Sequence, residues 1–279
     1  MVFRGKKDVR SAGPMHGHRR KKEIRDCEPL PCMMRGIGPA HKLLSRSRWI
    51  GDRRRATAGE PPCPHLRRAF HLPGEVERAT LTWTALGVAD MFINGHKIGA
   101  DFLMPGWTDF RKRVQVIDHD VTGLLGRGDN MLGAILGDGW YSGTLLWNNK
   151  RNHYGTHPQL LARLEVGLCD GSKIVVATDA SWQKRYGPIV SSDIYHGETY
   201  DARRDLGGWC CAGSSSRGWR CADVFPKFRG VLTPKVNEPV RVTQVLHPRK
   251  ITEPSHAMHV FDFGQNIAGV CRLTIPRRS

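Results

Sequence analysis

Apolar and polar residues alternate most regularly between residues 77 and 86, ERATLTWTAL. Ala79, Leu81, Trp83 and Ala85 fall on one side of an extended chain, and three threonines fall between them. Because successive side chains of a β-strand point to opposite faces, this pattern predicts a strand that buries one face.

Two dipeptides indicate tight turns between neighbouring strands. An Asn-Gly pair at 94–95 follows the apolar stretch 88–93, and an Asp-Gly pair at 170–171 separates alternating segments at 159–168 and 173–178. Both dipeptides tolerate the positive φ angles that two-residue hairpin turns need. We therefore expect two β-hairpins.

Further short apolar segments are separated by Gly, Pro, Asn and Asp, and none has the spacing of an amphipathic helix of ten or more residues. The additional predicted strands are 49–50, 65–72, 131–136, 240–245, 260–263 and a segment containing Val114, Val116 and Val121. Many short strands with turn residues between them are typical of a sandwich. The predicted fold class is all-β, a jelly-roll or galactose-binding-like antiparallel β-sandwich followed by the start of a second β domain.

Composition divides the chain into three parts. Residues 1–47 are rich in Lys, Arg, Gly and Pro without periodicity, and we expect a basic, disordered tail. The sandwich is predicted for 48–225, and 226–279 is predicted to be an incomplete second β-sandwich domain. The first 55 residues hold 16 Lys and Arg against five Asp and Glu, so they supply 11 of the net charge of +17. A nucleic-acid partner is therefore not expected for the folded part.

Eight cysteines are present, but none is spaced as a Cys-x-x-Cys pair, and their spacing fits no usual zinc site. Reduced thiols favour a cytoplasmic location. No apolar segment approaches the length of about 20 residues that a transmembrane helix needs, so no membrane association is expected.

The loop after residue 137 combines aromatic, amide and carboxylate side chains, a mixture that suits sugars because rings pack on the apolar sugar face. The predicted carbohydrate-binding residues are Asp109, Asp138, Trp140, Tyr141, Asn152 and Tyr154. Trp107 and Trp140 could equally be core or loop-anchoring aromatics. Oxygen-rich loops containing Asp109, Asp138 and Asn152 could hold calcium, although the ligands of such a metal cannot be assigned.

No catalytic residue is predicted. Inverting glycoside hydrolysis needs two carboxyl groups about 6.5–9.5 Å apart. The candidate carboxylates, Asp109, Asp138, Asp193, Glu198 and Asp201, all lie in turn-like or loop-like sequence, where they favour hydrogen bonds to nearby backbone.

Five motifs, in order, resemble the N-terminal part of bacterial α-L-rhamnosidases over about residues 49–275. They are FINGHKIGADFLMPGWTDFRKRVQVIDHDVTGLL, LGDGWYSG, YGTHPQLLARLEV, SSDIYHGETYDAR and VFDFGQNIAGVCRL. The resemblance implies N-terminal β-sandwich domains that precede a helical (α/α)6 barrel. In that family the barrel hydrolyses terminal α-L-rhamnose from rhamnosides with inversion, and the present sequence is expected to stop before it.

Three functional hypotheses follow from these observations. The first is a non-catalytic N-terminal fragment of an α-L-rhamnosidase-like enzyme, with rhamnose-containing glycosides or oligosaccharides as ligands. The second is a stand-alone carbohydrate-binding module. The third is a nucleic-acid-binding or surface-binding protein that acts through its basic tail.

Overall fold

The computed structural model describes residues 2–4, 44–53, 60–147, 149–272 and 274. The described residues divide into two compact units, which lie within Met1–Glu28 plus Arg241–Ser279 and within Pro29–Val240. The second unit contains the sandwich and every candidate site residue.

The described residues form eighteen strands and one short helix. The strands are β1 (Val2–Arg4), β2 (Ile50–Gly51), β3 (Pro64–Leu72), β4 (Val76–Leu86), β5 (Val88–Ile93), β6 (His96–Lys97), β7 (Arg113–Asp120), β8 (Gly128–Gly137), β9 (Gln159–Leu168), β10 (Lys173–Ala177), β11 (Gln183–Tyr186), β12 (Ile189–Asp193), β13 (Gly197–Tyr200), β14 (Arg220–Cys221), β15 (Asp223–Val224), β16 (Val231–Pro234), β17 (Lys250–Ser255) and β18 (Met258–Asp262). The helix is α1 (Gly139–Ser142), and 3-10 turns cover Leu44–Arg46, Thr122–Leu124 and Ala202–Arg204.

Two sheets form the sandwich. The larger has the order β15-β2-β9-β4-β7-β16, with β10 also paired to β9, and the smaller has the order β14-β11-β3-β8-β5-β6. Their neighbouring strands are antiparallel except for β16, which pairs in parallel with β7. The predicted all-β sandwich is confirmed, and the parallel strand is an addition to the antiparallel arrangement that we expected.

The main hydrophobic core lies between the two sheets. Leu81 and Trp83 from β4 face it, together with Met91 from β5 and Leu132 from β8. Both predicted hairpins are present, with Asn94 and its following glycine at positive φ and with β9 paired to β10. The period-two pattern thus correctly identified the residues that bury the inner face.

The prediction of a single buried face for β4 was incomplete. Thr82 and Thr84 on its other face are also buried, and their hydroxyls donate to the Asp118 carboxylate and the Gln115 carbonyl of β7. A second hydrophobic cluster covers the outer face of that sheet, and it includes Trp49, Phe110 and Val114.

Several other boundaries differ from the sequence-based predictions. Residues 240–245 do not form a strand, because only Val240 makes a bridge, to Phe102. The sandwich unit extends to Val240 and not to residue 225, since β16 is part of its larger sheet. Sequence reasoning also missed the β12–β13 hairpin, whose polar residues carry no alternating pattern.

The predicted disordered tail, residues 1–47, falls mostly outside the described residues. Two parts of it are described and are ordered. Val2–Arg4 pairs with β18, and Leu44 is buried in the second hydrophobic cluster of the sandwich. In the other unit, β1, β18 and β17 form a three-stranded sheet in which every residue of β17 is exposed.

Candidate functional site

Two loops of the sandwich unit bring aromatic side chains together. One loop precedes β7, and its turn is closed by hydrogen bonds from the N–H groups of Lys112 and Arg113 to the Asp109 carbonyl, at 2.8 and 3.0 Å. The other begins at α1 and runs to β9. Gly143 ends α1, and its N–H donates to the Gly139 carbonyl at 3.1 Å.

We call the aromatic cluster formed by Trp107, Phe110, Trp140, Tyr141 and Tyr154 the aromatic shelf. Trp107 and Trp140 stack in parallel, with ring centroids 6.0 Å apart and planes 5° apart. Phe110 is buried beneath the edges of Tyr141 and Tyr154, at 5.5 and 5.2 Å between centroids. Trp107 is 49% exposed, so the shelf combines a packed base with an open aromatic surface.

A local ion pair borders the shelf. The Arg111 Nε lies 2.8 Å from the Asp109 Oδ1, and the guanidinium carbon lies 5.5 Å from the Tyr154 ring centroid. The hydrogen bond from Arg111 holds the pKa of Asp109 below its ordinary value. Asp109 is therefore an ionised hydrogen-bond acceptor at neutral pH, next to an aromatic surface.

A cavity of about 500 Å³ adjoins Tyr141 and is also lined by Arg53, His157, Gln159 and Phe225. Arg53 lies over the Phe225 ring, 4.6 Å from its centroid. Burial raises the pKa of Tyr141, so its hydroxyl stays protonated at neutral pH and can donate a hydrogen bond.

A separate group of charged side chains anchors the same loop from beneath. We call Glu60, Asp138, Arg151, Asp193 and His196 the Arg151 network. Arg151 lies 3.2 Å from the Asp193 carboxylate and 3.6 Å from that of Glu60, and it also pairs closely with Asp138. His196 lies 2.7 Å from Glu60. These contacts join α1 and the following loop to the β12–β13 hairpin.

The two aspartates of this network differ in their titration. Burial raises the pKa of Asp138, although hydrogen bonds from Ser142 and Arg151 oppose that effect. Burial alone would also raise the pKa of Asp193, but N–H groups of Thr144 and Tyr195 outweigh it and hold the pKa below its ordinary value. Asp193 is thus a buried carboxylate stabilised by backbone dipoles.

Two of the candidate calcium ligands have arginine partners in the structure. Asp109 is paired with Arg111, and Asp138 is buried against Arg151. Among the described residues, Glu60, Asp193 and His196 have ligand atoms within 4.8 Å of one another. Calcium requires six to eight oxygen ligands, so a group of two carboxylates and one imidazole does not fit that ion.

The structure separates the six predicted carbohydrate-binding residues into two sets. Trp140, Tyr141 and Tyr154 are in the aromatic shelf, and Asp109 borders it through Arg111. Asp138 is only 4% exposed, so its carboxylate is not available to a sugar, because it is part of the Arg151 network. Asn152 has an exposed side chain, and its N–H donates to the Ser142 carbonyl at 3.2 Å behind α1.

Sequence reasoning did not include Trp107, Phe110 or Arg111 in the site. The Gly106-Trp107 sequence in a loop was the available signal, since a tryptophan beside a glycine turn is poorly placed for a strand. Their contacts with residues 140–154 depend on tertiary structure, so spacing along the chain could not reveal them.

No helix among the described residues is both long and apolar enough to cross a membrane.

The chain is similar to enzymes from several organisms. The profile of the α-L-rhamnosidase N-terminal domain matches residues 74–244. An α-L-rhamnosidase of Streptomyces avermitilis is 42% identical over 214 residues, which are 75% of this chain and 20% of that protein.

Solved structures give the same result. The crystal structure of Streptomyces avermitilis α-L-rhamnosidase complexed with L-rhamnose has a TM-score of 0.72 and 40% identity over 75% of this chain and 20% of that one. The α-L-rhamnosidase of Aspergillus terreus has a TM-score of 0.74 and 35% identity over 80% of this chain and 26% of that one. The present chain thus spans about a fifth to a quarter of the proteins it matches. It belongs to the α-L-rhamnosidase N-terminal domain family.

Proposed function

We propose that this chain is a non-catalytic, carbohydrate-binding β-sandwich of α-L-rhamnosidase-like enzymes, and that its aromatic shelf binds rhamnose-containing glycosides. The observation that carries this proposal is the parallel stack of Trp107 on Trp140, which leaves Trp107 half-exposed beside the Asp109–Arg111 pair. The full enzyme would hydrolyse terminal α-L-rhamnose from rhamnosides in another domain.

The chemistry of the shelf suits a deoxy sugar. L-Rhamnose carries a methyl group and C–H bonds on its ring, and these pack well on an aromatic surface, whereas its hydroxyls need polar partners. Asp109 can accept a hydrogen bond from a hydroxyl, and Arg111 can donate one. The shelf therefore supplies both kinds of contact within one exposed patch.

The carboxylates support a non-catalytic role. Inverting hydrolysis needs one protonated and one ionised carboxyl group across an open site. Asp109 and Asp201 are engaged in local pairs with Arg111 and Arg203, and Asp138 and Asp193 share Arg151. Glu198 has a raised pKa, owing first to burial and then to Asp90, but no second free carboxylate of the candidate set accompanies it.

A cytoplasmic location is part of the same proposal. Cys63, Cys169, Cys210, Cys211 and Cys221 form no disulfide, as expected where thiols are kept reduced.

Calorimetric titration with L-rhamnose tests sugar binding. Wild type should bind L-rhamnose, and Trp107→Ala should weaken binding by about tenfold through the loss of aromatic packing. Trp147→Ala is a matched control, because Trp147 is fully exposed and is not part of the shelf. Absence of binding by wild type, or equal affinity in Trp107→Ala, would contradict the assignment.

A chromogenic rhamnoside tests the non-catalytic part separately. The purified chain should release no chromophore above the rate of a blank. Turnover that increases in proportion to protein concentration and persists through further purification would show that the sandwich itself is catalytic.

A further inference from the structure

A second concave surface lies away from the aromatic shelf, where the loop before β14 packs against β3 and β11. We call it the arginine groove, and its characteristic side chains are Arg67, Arg185, Arg217, Trp209 and Trp219. It encloses about 380 Å³, within the usual range for small-ligand pockets.

Arg67 holds this loop in place. It is 2% exposed, and its guanidinium donates to the carbonyls of Trp209 and Ser215 at 2.9 and 2.7 Å, to the Ser214 hydroxyl at 2.8 Å and to Gln183 at 3.2 Å. Its guanidinium carbon also lies 3.9 Å from the Trp219 ring centroid. Every one of these partners is neutral, so the buried positive charge has no carboxylate beside it within the described structure.

The other two arginines add to the uncompensated charge. Arg185 donates to the Arg217 carbonyl at 3.1 Å, and within the described residues neither side chain makes an ion pair. Both are exposed, so their guanidinium groups are available to a ligand. A side chain at Gly218, where φ is +78°, would place its Cβ only 3.3 Å from the Arg185 Cζ, so glycine permits this close approach.

The rest of the lining is apolar or neutral. The Trp209 and Trp219 rings stack with centroids 6.2 Å apart and provide an aromatic wall, and no carboxylate lines the groove. Converging positive charge next to aromatic rings and hydroxyl groups favours a ligand with an anionic group and a partly apolar body.

We propose that the arginine groove binds an acidic saccharide, with Arg185 and Arg217 holding a carboxylate or sulfate group of the sugar against the tryptophan wall. Planar guanidinium groups match both oxyanions through paired hydrogen bonds. Arg67 is a positioning residue, since all the contacts that the structure gives it are internal. This site is distinct in residues and in ligand charge from the neutral-sugar site of the proposed function.

Titration at low ionic strength with D-glucuronate, D-glucose 6-sulfate and neutral D-glucose tests the proposal, with tryptophan fluorescence as the signal. Both acidic sugars should bind more tightly than glucose, and added salt should weaken the binding of both acidic sugars. The acidic sugar that binds more tightly shows whether the groove prefers a carboxylate or a sulfate group. The Arg185→Gln/Arg217→Gln double variant should bind about a hundredfold more weakly, because it loses two charge-assisted contacts of about tenfold each.

Arg127→Gln is the matched control, since it removes an exposed arginine outside the groove and should leave affinity unchanged. A normal unfolding midpoint will show that the double variant is folded. Equal affinity for glucose, unchanged affinity in the double variant, or no binding of either acidic sugar would overturn the proposal. Inorganic sulfate that binds as tightly as glucose 6-sulfate would overturn the assignment of a saccharide.

Discussion

Arg151 and Arg67 each fix a loop of the sandwich from a largely buried position, but their partners differ. Arg151 is surrounded by the carboxylates of Glu60, Asp138 and Asp193. Arg67 donates only to carbonyls, a hydroxyl and an amide oxygen. The first arginine is therefore surrounded by more negative charge than it carries, whereas the second has no carboxylate partner in the described structure and leaves a positive field at the surface it supports.

This difference explains why the two surfaces should select different ligands. The aromatic shelf, which includes residues of the loop that the Arg151 network anchors, presents open rings and a paired Asp109–Arg111, which suits a neutral sugar. Around Arg67, two more arginines face the groove without carboxylate partners, which suits an anion. Variants that change one arginine at a time can test this contrast.

The largest effect is expected for Arg151→Met. The substitution leaves buried carboxylates without their cation, and breaking a buried pair in this way destabilises a protein by about 3–5 kcal/mol. Urea unfolding at neutral pH measures the change. Arg111→Met is the control, since its pair with Asp109 is exposed, and its unfolding midpoint should stay almost unchanged. Equal stability of Arg151→Met and wild type would show that the network does not hold the loop.

The stability of the fold should depend on pH through His65, which packs edge-on against Trp209 of the arginine groove at 4.9 Å between centroids. Burial lowers the pKa of His65 to about 4, from an ordinary value of 6.5. The unfolded chain therefore binds a proton between these pH values while the folded chain does not. The contribution of His65 to the free energy of unfolding is therefore fully present above pH 6.5. It decreases as the pH falls towards 4, by about 3 kcal/mol in total.

Urea unfolding over this pH range measures the effect. His65→Leu should show a shallower decrease than wild type, and His96→Gln, which changes an exposed histidine of β6, should show the wild-type slope. An identical slope in His65→Leu and wild type would refute the assignment.

A smaller loss is expected for Arg67→Gln. The buried guanidinium no longer donates to the carbonyls of Trp209 and Ser215, and each of these hydrogen bonds contributes about 0.5–1.5 kcal/mol to stability. Arg67→Lys should not restore stability, because an ammonium group cannot reproduce the planar fork. Arg68→Gln is the control variant, because it removes the same positive charge from the next position of β3. Full stability of Arg67→Lys would show that charge alone is sufficient.

The smallest effect on stability is expected for Asp109→Asn at the aromatic shelf. Because Asp109 is paired only at the surface, the unfolding midpoint should not change. L-Rhamnose affinity should fall by about threefold, the loss of a single hydrogen bond. Calorimetry and thermal unfolding of the same preparation separate the two effects, and unchanged affinity would remove Asp109 from the site.

The sequence predicted the strands whose burial follows a period of two. The inner faces of β4 and β9 and both hairpin turns are as expected, because local sequence determines them. The second buried face of β4 was not predicted, since threonines in an alternating pattern do not show whether another layer covers them. Residues 240–245 were predicted to form a strand because they alternate and include β-branched residues. Such residues form a strand only where a partner strand is available.

Only part of the candidate site was predicted from the sequence, because the roles of its residues depend on tertiary contacts. Aromatic residues in a glycine-rich loop indicated Trp140, Tyr141 and Tyr154, but Asp138 looked equivalent to Asp109 in sequence. Their different roles depend on Arg151, thirteen positions after Asp138, and on the β12–β13 hairpin. The arginine groove was not predicted at all, because Arg67 resembles an ordinary exposed residue until the loop at 206–219 covers it.

If two separate surfaces of the sandwich bind different sugars, the side-chain N–H signals of different tryptophans in a two-dimensional NMR spectrum should respond to each sugar. L-Rhamnose should shift the signals of Trp107 and Trp140 and leave those of Trp209 and Trp219 unchanged, and D-glucuronate should do the reverse. If L-rhamnose shifts the signal of neither Trp107 nor Trp140, or if both sugars shift the same signals, the sandwich does not have two separate sugar-binding surfaces.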